Sequence, residues 1–250
     1  MKKILFVFFI PTAILLCVWY LASIHIASSL ILPSPLFVFT RFLLLIKENL
    51  FWEHVFYTIL RTILSFLYSL VISIILGIAI GFSKSFSLLL KMPLSVIKAT
   101  PVVSFILLAL FWFTTSQVPI FVSVLMTLPI ITSSVALGIA NIDIKLRQMA
   151  RVYGLTKKQK ILHIYLPSVF PSFASGALSA FGLSWKVVVA AEVISLPKRA
   201  LGTSLQTAKV HIETADVFAI SLLIIALSFV LELLLSALFK NCMKWREKDA

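Results

Sequence analysis

Five ionisable residues lie inside long apolar runs of this chain: Arg61, Lys98, Lys186, Glu192 and Glu232. A charge in a hydrocarbon setting is costly and faces a partner, a cavity or the headgroups, so each is a candidate for binding or ion passage. Arg61, near one end of its run, reads as a side chain that snorkels to the headgroups, and Lys98 reads the same way. Glu232 reads as a packing or interface residue. Lys186 and Glu192 stand in a stretch rich in small residues, from Ala174 to Ser184, which lets helices approach closely and can line a path. Six residues place the two roughly 120° apart around a helix, so a pair along that helix is not expected. Trp185 and Glu192 share a face. Trp185, Lys186 and Glu192 are therefore candidates for a translocation path, and the rival reading is that Glu192 pairs with a neighbouring helix. Thr100 and Pro101 interrupt another run; the carbonyls freed there either face a polar cavity or result from a kink made for packing.

No constellation for bond-making chemistry accompanies them. His25, His54, His163 and His211 are scattered without metal-ligand spacing, and neither a phosphate-cradling glycine loop nor a nucleophile elbow occurs. No catalytic residue, metal site or cofactor is expected.

The elements that must hold these residues are membrane helices. Of the 250 residues, 61% are hydrophobic and 12% charged, with a mean hydropathy of +1.10, more than a water-soluble core can bury. At roughly 20 residues per crossing, about six spans fit. The candidates are Ile4–Ile24, Thr58–Phe82, Met92–Phe113, Val118–Ala140, Val169–Ser195 and Val217–Phe239, giving an all-helical polytopic bundle. Segments that fall inside carry fourteen Lys and Arg, against five outside (Arg41, Lys47, Lys198, Arg199 and Lys209), which predicts both termini in the cytoplasm. The net charge of +13 is spread over these short segments, where membrane lipid is the nearer counter-charge, so nucleic acid is not expected as a partner. Met1-Lys2-Lys3 and the following run resemble a signal peptide, but the run is long enough to span and reads as an uncleaved first helix. Leu32-Pro33-Ser34-Pro35 predicts extended or turn geometry, followed by a surface helix within Phe39 to Glu48.

The segment between spans four and five is patterned rather than merely connecting. Leu146, Met149, Ala150 and Tyr153 recur at helical spacing as one apolar stripe. Gly154 can end that helix in a left-handed conformation. Thr156 and Gln159 form a capping box that starts a second short helix through Lys157, Lys158 and Lys160 to Ile164, and Pro167 marks its exit into the fifth span.

Gln148-Met149-Ala150, Gly154 and Ile164-Tyr165-Leu166-Pro167 resemble the Glu-Ala-Ala loop of type I ATP-binding-cassette importer permeases, with the glycine to Ile-x-Leu-Pro spacing matched. Gln148 and Met149 depart from the usual Glu and Ala. Leu32-Pro33-Ser34-Pro35, Leu76-Gly77, Lys98-Ala99-Thr100-Pro101 and Ser184-Trp185 through Ala191-Glu192 are similar to motifs of the nitrate, sulfonate, taurine and thiamine-precursor group. The resemblance implies that Gln148, Met149, Ala150, Gly154, Ile164, Leu166 and Pro167 couple to an ATP-binding subunit in two copies. It also implies an extracytoplasmic solute-binding protein, a permease homodimer and residence in the inner membrane. ATP hydrolysis then falls to another polypeptide. The expected organisation is a first span with an outer segment (1–53), a transmembrane domain (54–240) containing the loop 141–167, and a basic tail (241–250). The alternative is an ion-coupled secondary transporter, for which broken-helix repeats in both halves are missing.

Overall fold

The computed structural model describes residues 2–248, with side chains over residues 10–240; the side chains of the basic tail and of Lys2 and Lys3 lie outside the described residues. Eleven α-helices follow in order: α1 (Lys2–Ile26), α2 (Pro35–Leu45), α3 (Asn49–Phe82), α4 (Lys84–Ala99), α5 (Val102–Ala109), α6 (Val118–Ala140), α7 (Ile144–Val152), α8 (Lys157–Lys160), α9 (Leu166–Ser195), α10 (Leu201–Val210) and α11 (Thr214–Lys248). A π-helical turn, Ile161–Tyr165, joins α8 to α9. No strand occurs among the described residues. Among the described residues, four helices are long and apolar enough to cross a membrane, or five if the bent pair α4 and α5 is one span.

Helix α6 is the axis of the bundle. Gly77 and Gly81 of α3 approach Val135 and Ile139 of α6, while Gly138 of α6 approaches Val169 of α9. Thus α3 and α6 run parallel, and α9 runs antiparallel to both. A side chain at Gly77 would sit 2.6 Å from Val135 Cβ, so glycine is what permits this approach. Hydroxyls fill the same seam: Thr127 donates to Ser69 (2.8 Å), Ser73 to the Leu128 carbonyl (3.1 Å), and Ser184 is within 3.0 Å of Ser65 and 2.8 Å of Ser123. Small hydroxyl residues satisfy one another where lipid offers no hydrogen bonds and let the backbones close in. The outer wall is the reverse, with Leu67, Val71, Ile75, Leu222, Phe229 and Leu234 exposed as lipid-facing surface.

The interruption expected at Thr100 and Pro101 is present, and α4 and α5 meet there at a 96° bend; two expected helix starts are corrected. Pro101 forces Thr100 into extended backbone (ψ 131°), and the α4 ladder ends where the Thr100 amide and hydroxyl both donate to the Val96 carbonyl. Because α3 and α6 are parallel, α4 and α5 return the chain from the end of one to the start of the other. The second span starts at Asn49 rather than Thr58, since Phe51 and Val55, one turn apart, pack with Trp185, Leu201 and Ile220. The outer helix starts at Pro35, not Phe39. Extended Ser34 accepts from the Phe37 amide (3.3 Å), and Pro35 takes a first-turn position where its missing N–H costs nothing. That helix docks on α11 through Arg41, whose guanidinium donates to both Asp216 oxygens at 2.5 Å. The hydrogen bond to Asp216 holds the Arg41 pKa above its ordinary value.

Candidate functional site

The loop between α6 and α9 is a helix, a left-handed glycine and a second helix, as its spacing predicts. Asp143 caps α7, accepting from the Lys145 amide (2.8 Å). Gly154 has φ +62°, and the Leu155 amide reaches back to the Ala150 carbonyl (3.1 Å), closing the helix end. The capping box of Thr156 and Gln159 is complete, with Gln159 accepting from the Thr156 amide (2.8 Å) and Thr156 from the Gln159 amide (3.3 Å).

Packing divides the seven loop residues. Ala150, 2% exposed, and Ile164 meet Ile142 in a small core that clamps α7 onto the base of α9. Arg147 adds a second clamp by donating to the Ile139 carbonyl at the end of α6 (2.6 Å). Gln148, Met149, Gly154 and Leu166 are exposed. So are Ile144, Val152 (83%) and Tyr153 (76%), which with Met149 leave an apolar surface on α7 without cover. Of the predicted stripe, only Ala150 turns inward; the rest faces away from the bundle.

Pro167 does not mark an exit, and this too is a correction. The helix runs on from Lys157 to Ser195, 39 residues, because the backbone widens into the π-turn just ahead of the proline. There the Leu166 amide bonds the Ile161 carbonyl, five residues back, and the turn absorbs what a proline removes from an α ladder. Tyr165 rests edge-on against Phe82 at the end of α3 (5.3 Å between centroids).

At the opposite end of that helix Glu192 is fully buried. Arg61 of α3 donates to its Oε1 (2.7 Å) and to the Arg199 carbonyl (2.8 Å). The Thr58 hydroxyl lies 2.9 Å from Oε2, and the Gly202 amide donates to the same oxygen (3.2 Å). Thr58 also accepts from the Leu201 amide (2.9 Å). One carboxylate thus ties α3, α9 and the start of α10 into a knot. The snorkelling reading of Arg61 is overturned: Glu192 is the nearer and drier partner. The rival reading of Glu192, a pair with a neighbouring helix, is the arrangement observed. Around the knot, Arg199 pairs with Glu53 (3.1 Å) and stacks over the Tyr57 ring, while His54 contacts Ser204.

Gly202 belongs to the knot for lack of a side chain. A methyl there would lie 2.6 Å from the Val189 carbonyl oxygen and press on the Glu192 side chain. Gly202→Ala is therefore expected to destabilise by about 1–3 kcal/mol through overpacking, read as a lowered Tm of the purified protein.

The other path candidates separate. Trp185 is buried with Phe51 and Val55, its indole donating to the Ile224 carbonyl (3.2 Å). Lys186 faces outward from α9, Thr100 and Pro101 lie at the bend, and Lys98 donates to Ser133 of α6 (3.3 Å). In this conformation Trp185 and Glu192 have no surface open to a path. Sequence reasoning missed Thr58, Gly202 and the Ser and Thr seam. The seam had a signal, since Thr58, Thr62, Ser65, Ser69 and Ser73 recur every three or four residues on one face of an apolar helix.

This fold and loop define the membrane subunit of a transporter. The family described as binding-protein-dependent transport system inner membrane component matches residues 69–242, and the chain belongs to it. An aliphatic sulfonates transport permease of Escherichia coli strain K12 is 35% identical over 221 residues, covering 88% of this chain and 83% of that protein. The taurine transport permease of the same organism is 27% identical over 241 residues, covering 93% and 87%. The fold is shared with a crystal structure of an amino acid ABC transporter with histidines, at a TM-score of 0.56 and 19% identity over 74% of this chain and 90% of that one. The protein is a multi-pass inner-membrane permease subunit of an ABC importer, working with a separate ATP-binding subunit and a solute-binding protein.

Proposed function

We propose that two copies of this chain form the transmembrane pathway for a small sulfonate-type anion, with an ATP-binding subunit docked on α7 of each copy. The observation that carries the docking is the uncovered apolar surface of α7, Met149, Val152 and Tyr153, on a helix clamped at Ala150 and Arg147. The anion follows from the sulfonate and taurine permeases to which the chain is similar. Six spans with α1 as the first, and both termini on the cytoplasmic side with α7, fit the distribution of Lys and Arg.

Transmission follows from continuity. Closure of the ATP-binding subunits moves α7 and α8, and the unbroken Lys157–Ser195 helix carries that movement past the π-turn to the Arg61–Glu192 knot. The bundle thereby exchanges between two packed states, with inward and outward access to a path lined by Lys186 and by the Thr100–Pro101 bend, and braced by Trp185 and Glu192. Replacing Met149, Val152 and Tyr153 together with Ser tests the docking. These residues are exposed, so Tm stays within the range of surface changes, about 0.5 kcal/mol each. Co-purification with the ATP-binding subunit falls by at least tenfold, each apolar side chain contributing about 1.5–3 kcal/mol when buried at the contact. Retention of the subunit at parental levels would sink the docking reading, and native mass spectrometry of the intact complex checks the two-plus-two composition.

A further inference from the structure

Helix α4 gathers all its polar residues but Ser85 on one face: Lys84, Ser87, Lys91, Ser95 and Lys98 follow one another by three or four residues. All but Lys84 line a cavity of about 420 Å³ between α3, α4 and α6, together with Ser133. That volume suits a small molecule. The lining holds two ammonium groups and no carboxylate, and neither lysine has an acidic partner among the described residues. Both lysines are exposed at the loop end of the bundle, where two cations lining one cavity without a counter-charge attract an anion.

The hydroxyls indicate how a ligand is held. Ser95 donates to the Lys91 carbonyl (2.7 Å) and Ser133 to the Pro129 carbonyl (2.6 Å), so both protons are already spent. Ser133 instead accepts from Lys98 Nζ and draws that ammonium against α6. The donors left for a ligand are the two ammonium groups, compact charges suited to a compact oxyanion, and the Ser87 hydroxyl. Ala136, Leu137 and Ala140 place the cavity along the last turns of α6, at the end that carries the loop and below the Thr100–Pro101 bend.

We propose that this cavity is an oxyanion site in which Lys91 and Lys98 contact the ligand directly and Ser133 is the positioning residue for Lys98. Sulfonate cargo leaving by the loop end, which rests on the anion reading above, and the phosphate of an anionic lipid headgroup supply the same chemistry. The test uses the permease with its ATP-binding subunit in nanodiscs of phosphatidylcholine alone or enriched in phosphatidylglycerol. Methanesulfonate is titrated calorimetrically, and lipid retention is read by native mass spectrometry. Saturable methanesulfonate binding is expected in phosphatidylcholine. The Lys91→Gln, Lys98→Gln double variant weakens it by at least about tenfold, the worth of one charged hydrogen bond, while the corresponding double Arg variant keeps it. Ser133→Ala gives a smaller loss that Ser133→Thr restores. If the headgroup is the source, the same glutamine variant instead loses retained phosphatidylglycerol. The site is overturned if neither methanesulfonate binding nor phosphatidylglycerol retention changes in a glutamine variant of parental Tm. ATP-driven uptake of taurine by the same complexes, moved into proteoliposomes and supplied with the solute-binding protein, separates the two readings: normal uptake without lysine-dependent anion binding removes this site alone, and lysine-dependent binding without uptake removes the cargo reading and leaves the site.

Discussion

Glu192→Ala is expected to destabilise the permease by about 3–5 kcal/mol, the cost of leaving one member of a buried ion pair without its partner. The stranded group is Arg61, which is 7% exposed and has no water to turn to. It keeps the Arg199 carbonyl and the face of the Tyr57 ring, neither of which carries a full negative charge, while the Gly202 amide loses its acceptor. Arg61→Ala should cost a similar amount by stranding Glu192. The double variant Arg61→Met, Glu192→Leu should recover most of the loss, because exchanging a whole buried pair for apolar groups of similar volume is often neutral. Thermal unfolding of these three, together with the single variants Arg61→Met and Glu192→Leu that close the cycle, is measured in detergent micelles. Additive losses would mean that the two side chains do not act as a pair. Uptake adds a separate readout: a double variant that is stable yet slow in transport would assign the knot to switching as well as to folding.

The second large effect is expected at Ala150. Its methyl group is enclosed by Ile142 and Ile164, so Ala150→Glu places a carboxylate in a cluster whose members are all apolar or aromatic. A buried unpaired charge costs several kcal/mol, and each 1.4 kcal/mol is tenfold in the population of the clamped turn, so at least a hundredfold depletion follows. ATP-driven uptake in proteoliposomes should be nearly lost, while the isolated ATP-binding subunit hydrolyses ATP at its usual rate. Gly154 is predicted to behave differently. Nothing lies within 4 Å of a methyl added there, so the cost is conformational alone. Gly154→Asn, which tolerates the left-handed region, should transport nearly as the parent does. Gly154→Val should lose about 1–2 kcal/mol of turn stability and roughly tenfold in coupled uptake. Equal uptake by the valine and asparagine variants would show that the left-handed turn is not required.

Much of this was legible because it is local. The capping box at Thr156 and Gln159 and the left-handed end at Gly154 depend on a few consecutive residues, and the break at Thr100–Pro101 is enforced by the proline ring. Hydropathy placed α6 to the residue for a similar reason, since lipid obliges an isolated apolar segment to satisfy its own backbone. The boundaries that failed were those set by distant partners. The start of α3 depends on what Phe51 and Val55 bury, and the continuity of α9 through Pro167 depends on a π-turn braced by Phe82 and Ile142. The 96° angle at Pro101 is a tertiary quantity as well, since a proline ends a helix without choosing the direction of the next one.

The amino-acid sequence by itself determined a helical membrane protein with a docking turn of known shape, because periodicity, caps and hydropathy act over a few residues. Which charges meet was decided only in the tertiary structure. Arg61 and Glu192 are 131 residues apart and Lys98 and Ser133 are 35 apart, and whether an intramembrane charge reaches headgroups, a carboxylate or an open cavity depends on the helix that happens to lie beside it.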